Sequence, residues 1–455
     1  MADADTLSPA PAPAPAPASG SAPADEAVPA ASLRRDRRFL RFWTGQSISQ
    51  FGDRISELAL PLIAVGALRV SAAQVSLLTA LIWAPNLLAI FFGAWVDHQR
   101  RKRRLMVIAD LVRAATLSTL PIACWAGKVT LSQLYLVAVV TGAAAVLFNS
   151  AYSPFFAHLV PRSAYLEANS KLSTSRSASY IAGPAIGGAL VQALTAPVAV
   201  LVDAFSFLGS ALLVGRIPLD EPRLPVAQQA ELSMLTRARQ GLAFVVRHPV
   251  LRASLGCCST VNFFTFMANA LIVLFASRGL GLSAGSIGLA FGVGAIGGLL
   301  GAMLAPRLGR RLGIGRTVAL GAVLFPAPLA IMAMAGGPLW SRAGALAVTE
   351  FLSSLGVMLF DVNLNSLQAA VIPDGMRSRV SGAFSTVNYG IRPVGALVGG
   401  LLGTVLGLRE TLLLAALGGS LSLLWLLASP IPRIRSLESI AATGAAAGPI
   451  PQQAP

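Results

Sequence analysis

The feature that most constrains this chain is a succession of apolar stretches, each about 20 residues or longer, separated by short breaks that hold most of the charge. A hydrocarbon core of about 30 Å is crossed by roughly 20 helical residues, and without water every backbone N–H and C=O must be satisfied within the membrane-embedded structure. A recurrence of such stretches predicts an all-α integral membrane protein. Composition agrees. Only 12% of the 455 residues are Asp, Glu, Lys or Arg, against roughly 25% in soluble domains, and the mean hydropathy is +0.69. A chain so poor in charge cannot cover itself with a solvated surface, which argues against soluble enzymes and binding modules.

Twelve stretches qualify as predicted transmembrane helices: residues 40–67, 73–97, 105–126, 131–156, 166–191, 197–215, 250–276, 284–306, 315–335, 340–364, 378–403 and 409–428. The longest connection carries Pro218, Pro222 and Pro225, then a polar helical run from Glu231 to Arg247. It divides the spans into two bundles of six. The expected organisation is a disordered Ala/Pro-rich tail (1–32), a first bundle (33–216), a central cytoplasmic loop (217–249), a second bundle (250–430) and a disordered cytoplasmic tail (431–455). The first tail lacks the basic start and apolar run of a signal peptide.

The bundles repeat. At an offset of 212, Phe148 meets Phe360, Pro161 meets Pro373, Gly183 meets Gly395, and Gly187-Gly188 meet Gly399-Gly400. Leu40-Arg41 matches Leu251-Arg252 at 211, and Gly93-Ala94 matches Gly301-Ala302 at 208. Such internal symmetry predicts two pseudo-symmetric halves.

A net charge of +16 would suggest nucleic acid in a soluble domain, but its distribution says otherwise. Of 35 basic residues, 26 fall in breaks on one side of the alternating spans, 5 on the other and 4 within spans. Basic loops stay on the cytoplasmic face, so both termini are expected there, with no nucleic-acid partner. Cys124, Cys257 and Cys258 lie in apolar stretches, and His98, His158 and His248 sit at span ends, which predicts neither a disulfide framework nor a metal site. No cofactor is called for. The chain also has no phosphate-binding glycine loop with its Lys-Ser/Thr.

Local motifs sharpen the reading. Gly93-Ala-Trp-Val-Asp97 leads into Arg100, Arg101, Lys102 and Arg103; Ala109-Asp110-Leu-Val-Arg113-Ala114 opens the next span; and span one holds Gly45-Gln46, Ser49-Gln50 and Gly52-Asp53. With twelve spans and duplicated halves, these resemble the major facilitator superfamily, in the branch of enterobactin exporters and macrolide-efflux proteins. His98 and Arg100 depart from the usual loop pattern. Gly183-Pro184-Ala-Ile-Gly187-Gly188 resembles the superfamily's antiporter motif, with Ser179 where a first glycine is common. The resemblance implies a bacterial inner-membrane transporter, monomeric, working by alternating access. It also implies that Asp97, Arg100, Arg101, Asp110 and Arg113 form a gating charge relay.

Ionisable groups within spans cost several kcal/mol unless they face a cavity or a partner. Asp53 and Glu57, four apart, share a helix face, while Arg54 points about 100° away; the two acids are either a proton carrier or a neutralised pair. Asp110 and Arg113, three apart, can pair. Glu350 and Asp361 share a face of span ten, with Asp361 free to pair with Arg377 or Arg379. Asp203 is a further deep acid. Arg176 and Arg392 are candidates for an anionic substrate or a buried carboxylate. Asn262 and Asn269, seven apart, line one face of span seven. The expected activity is proton-coupled efflux of a small amphipathic molecule such as a drug, siderophore or natural product. Import of a metabolite or lysophospholipid, and a non-transporting membrane sensor, stand as alternatives.

Overall fold

Helices begin where the sequence supplies N-caps: Asp36 accepts from the Arg38 amide, Ser71 and Gln74 form a reciprocal capping box, and Thr130 and Ser283 each cap the amide three residues on. A computed structural model of the chain describes residues 33, 35–68, 70–161, 164–218, 234–373 and 376–436. Among these, every regular element is helical. The expected disordered tails lie outside the described residues, except for 431–436.

The first half contains α1 (Arg37–Ala67), α2 (Ala72–Trp83), α3 (Ala89–His98), α4 (Lys102–Trp125), α5 (Leu131–Leu159), α6 (Tyr165–Ala193) and α7 (Ala196–Gly215). A short α8 (Met234–Arg247) follows. The second half contains α9 (Pro249–Leu274), α10 (Ala284–Leu312), α11 (Ile314–Leu324), α12 (Leu329–Ala333), α13 (Leu339–Val371), α14 (Arg377–Val405), α15 (Leu408–Ser420) and α16 (Leu423–Leu427). Between α2 and α3 the chain tightens into a 3₁₀ turn, Ala84–Leu88, at Pro85, which lacks the N–H an α-helix would use. Within the central loop, α8 packs on the second half: Val245 is buried with Leu251, Ile372, Val380 and Phe384.

Eight helical segments are long and apolar enough to cross a membrane: α4, α5, α7, α9 with the π-turn that extends it to Gly279, α10, α11 with α12, α13, and α15 with α16. The other four stretches are also helical, on α1, α2–α3, α6 and α14, but they are broken or more polar. Their polarity has a structural reason. Three of them carry charge at mid-helix, and α2, α6 and α14 form the junction between the halves.

That junction follows the 212-residue register. A Cβ on Gly187 would sit 3.1 Å from the Ile55 Cα of α1; on Gly399 it would collide with the Met267 carbonyl of α9, and 55 and 267 differ by 212. Gly188 lies against Gly288 of α10 across the halves, and Gly400 against Ser76 of α2, again 212 apart. Only glycine permits backbones this close. The 208 register fails in space: Gly93 faces open space, whereas Gly301 is pressed onto the Leu355 backbone, because the kinked α2–α3 and the continuous α10 run differently.

One end of the molecule carries the basic turns, where Arg41 and Arg103 donate to the carbonyls of Arg216 and Ile217. At the opposite, far end the halves are closed. Arg278 donates to the carbonyls of Val70 and Val65, and Gln192 accepts from the Gly285 amide. Leu271 and Leu274 of α9 join the first-half core around Ile63 and Leu78, and Leu58 of α1 joins the second-half core around Met267 and Ile287. Toward the basic end, the polar residues Ser170, Ser173 and Thr174 of α6 and the 212-shifted Gly382, Ser385 and Thr386 of α14 are exposed. Both helices thus present polar surface at that end.

The repeat reaches into the far-end turns. Thr195 precedes α7 with φ 121° and ψ 159°, a region that only glycine enters without strain, and its counterpart before α15 is Gly407 with φ 107° and ψ 159°. We expect Thr195→Gly to raise the thermal unfolding midpoint of the purified protein, a gain of about 1 kcal/mol. Gly407→Thr should lower it, since it would hold a β-branched residue at φ 107°. A lower midpoint for Thr195→Gly would remove the strain.

Candidate functional site

In the first half, Gly45 and Gly52 of α1 admit α7 closely: a Cβ on Gly52 would overlap both Asp203 Oδ1 and Ser206 Oγ. Asp203, 1% exposed, accepts hydrogen bonds from Ser56 of α1 and from Ser206, the latter at 3.0 Å. Arg113 reaches from α4 across the Phe207 ring, 3.8 Å from its centroid, to pair with Asp53 at 2.5 Å. Asp110, fully buried, makes no ion pair and no hydrogen bond of ordinary length among the described residues; the Ser210 hydroxyl stands beside it and Arg113 lies within electrostatic reach, with its Nε unbonded there. Asp53, Asp110 and Asp203 therefore all lie within reach of the Arg113 guanidinium, and Arg54, bonded to Glu57, is near Asp53 as well.

One expected pairing is not formed, and the two acids of α1 are divided between two cations. Asp110 and Arg113 do not bond each other: the short Asp110 side chain is held against α7, while the longer Arg113 spans to α1. Asp53 and Glu57 each have their own cation, because Arg54 swings one turn along α1 to bond Glu57 at 2.5 Å. The Arg54 guanidinium also lies 4.2 Å from the Tyr180 ring centroid of α6. Asp53 thus belongs to the bundle core, and the exposed Glu57 to its surface.

In the second half, Arg392 of α14 is surrounded by Trp83 of α2, Phe266 of α9 and Tyr389, at 4.6, 4.8 and 4.5 Å from the ring centroids. Its Nε donates to Asn262 Oδ1 at 3.2 Å, and Asn262 in turn donates to Asn388 and to the Cys258 carbonyl. Trp83 brings the first half into this cluster, edge-on to Phe266 and parallel to Tyr389.

The remaining candidates are dispersed. Arg176 is exposed and makes no ion pair among the described residues; Asn269 is exposed on α9. Glu350 packs its Cβ against Gly294 of α10. Asp361 is exposed, within electrostatic reach of Arg392 but beyond ion-pair distance, and Arg379 bonds Gln240 instead. The side chains of Asp97 and Arg377 lie outside what the structure describes. Arg100 and Arg101 are exposed, Gly93 borders open space, and Gly183 abuts the Arg54 side chain while Pro184 offers its carbonyl to Gly288. Among the described residues no group of three His, Cys, Asp or Glu converges as metal ligands would.

Sequence reading missed Trp83, Tyr180, Phe266 and Tyr389, as well as the serines that hold Asp203. A signal existed: shifting Arg54 and Tyr180 by 212 gives Phe266 and Arg392, the same helix-pair contact with cation and ring exchanged.

The family profile described as Major Facilitator Superfamily matches residues 42–396 and, separately, 255–451. The multidrug efflux pump Tap of Mycolicibacterium fortuitum is 27% identical over 365 residues, covering 76% of this chain and 84% of that protein. An uncharacterized MFS-type transporter of Bacillus subtilis, YfiS, is 25% identical over 384 residues, covering 82% and 89%. Among solved structures, a bacterial homologue of the iron transporter ferroportin in its inward-facing state superposes with a TM-score of 0.66 at 18% identity, covering 86% of this chain and 98% of that one. The nucleoside transporter NupG gives 0.65 at 15%, covering 86% and 98%.

Removing Arg113 leaves Asp53 facing the core unpaired. We expect Arg113→Met to destabilise the purified protein by roughly 2–3 kcal/mol, moderated by the partial exposure of Asp53, and Asp53→Asn in the same chain to restore much of the loss. Additive losses in a double-mutant cycle of unfolding midpoints would contradict the pairing.

Proposed function

This chain belongs to the major facilitator superfamily and is a multi-pass membrane transporter; we propose that it exports a small amphipathic organic molecule in exchange for protons, by alternating access. The observation that carries this reading is the shortage of positive charge at α1, α4 and α7. Arg113 neutralises at most one of Asp53, Asp110 and Asp203, and an uncompensated carboxylate inside a membrane protein costs several kcal/mol. The smallest cation able to fill the deficit is the proton. Movement of Arg113 between Asp53 and Asp110 would couple proton gain and loss to the tilt of α1 against α4, and α1 adjoins α6 at Gly183 and Gly187.

The direction rests on different support. The glycine–proline run on α6 resembles an efflux-associated motif, and relatives at 25–27% identity are named as multidrug efflux pumps. The basic end, rich in Arg and Lys, is assigned to the cytoplasm, with both termini there and the protein in the bacterial inner membrane. Twelve spans follow if α1, α2–α3, α6 and α14 also cross, their polar faces turned to a space between the halves rather than to lipid. One chain supplies both halves, so a monomer suffices.

Inverted membrane vesicles with an acid lumen test direction and coupling together. Norfloxacin, a fluorescent amphipathic zwitterion, should accumulate inside and leave when nigericin dissipates the gradient. Asp53→Asn, Asp110→Asn and Asp203→Asn should each abolish accumulation while the protein stays in the membrane. Accumulation that ignores the gradient removes proton coupling; gradient-driven accumulation only in right-side-out vesicles makes the protein an importer.

A further inference from the structure

The repeat allows each charge in one half to be compared with its counterpart in the other. On α1 and α6 the facing residues are Gln50, Arg54 and Glu57 with Arg176 and Tyr180; 212 residues on, α9 and α14 present Asn262, Phe266 and Asn269 with Asn388 and Arg392. In the first half the cation that lies over the ring is neutralised by Glu57. In the second half the acid is replaced by the amide Asn269; Asp361 lies within electrostatic reach of Arg392 but beyond ion-pair distance, and Arg392 makes no ion pair among the described residues. Among the described residues only its Nε is bonded; the terminal nitrogens make no hydrogen bond there, and the residue is half-buried.

A guanidinium fixed through Nε, with aromatic rings against its faces, presents its remaining N–H edge as a rigid fork. That fork matches the two oxygens of a carboxylate. We propose that Arg392 is an anion subsite, and that the substrate presents a carboxylate to its terminal N–H groups while an aromatic or apolar body lies against Trp83 and Tyr389. This rests on the transporter reading and names the substrate class. The subsite also bridges the halves, because Trp83 belongs to the first and the other groups to the second. A bound carboxylate neutralises Arg392, weakens its attraction for the Trp83 ring, and so loosens the central contact between halves that must separate for the far end to open.

Calorimetric titration of the purified protein with 2-naphthoate and its neutral isostere 2-naphthamide tests this without reference to protons or direction. The wild type should bind 2-naphthoate saturably and at least tenfold more tightly than 2-naphthamide. Asn262→Asp places a carboxylate at the position of an amide oxygen that already touches Arg392, and should bring the two ligands within about twofold. Arg392→Gln should do the same, and Arg392→Lys should keep a reduced preference; retention times in gel filtration and unfolding midpoints report on folding of each variant. Absence of saturable 2-naphthoate binding, or a preference that survives in a folded Asn262→Asp or Arg392→Gln variant, overturns the subsite. Norfloxacin accumulation that persists in the vesicle assay alongside such a result would leave proton-coupled export standing, so the two readings fail separately.

Discussion

Close approach of backbones at glycine is the contact on which the rest of this structure depends. Between helices in a bilayer there is little hydrophobic drive to association, since lipid tails are as apolar as leucine; packing and interhelical hydrogen bonds must supply it. Here α6 and α14 lie on their neighbours backbone against backbone at Gly187, Gly188 and Gly399, and at Gly400 against the Ser76 side chain. Each helix touches its own half through one glycine and the opposite half through the next. The same two helices therefore set the internal geometry of each bundle and the closure of the far end, and any tilt of one half is felt at both surfaces.

Charge is then distributed around that frame according to what each helix faces. Helices that turn apolar residues outward hold few ionisable groups, whereas α1, α6 and α14 carry theirs at mid-length. Asp203 is tolerated because two serines donate to it, and Asp53 because Arg113 reaches it. Asp110 has looser support, the Ser210 hydroxyl beside it and Arg113 at a distance, which leaves it the group most dependent on a change of protonation or partner.

Much of the fold could be read from the chain because hydropathy reports burial in lipid directly. The apolar stretches became helices, the central connection contained a helix, and the offset of 212 reappeared as matched contacts at Gly187 with Ile55 and Gly399 with Met267. Site partners were harder to read. Asp110 and Arg113 have pairing geometry on an isolated helix, but the choice between a neighbour on the same helix and one on α1 depends on packing that spacing does not encode. Trp83 was passed over because a single aromatic in an apolar segment looks like ordinary core. Its role arises from Pro85, whose break in the helix lies just beyond it, and from the juxtaposition of two halves far apart in sequence. The 208 register misled for a related reason: matching small residues say nothing about whether the helices bearing them are equally straight.

The exchange of cation and ring between Arg54–Tyr180 and Phe266–Arg392 has an electrical consequence. A duplicated frame with identical charges would have no preferred lateral direction at mid-height. Here the wall formed by α1 and α6 shows the carboxylate of Glu57 beside its arginine, while the wall formed by α9 and α14 shows an arginine without an ion pair. The two walls thus differ in what accompanies the ring-stacked cation, an acid on one and amides on the other. A molecule with separated positive and negative ends therefore meets unlike surfaces on its two sides, and its two orientations between them are not equivalent.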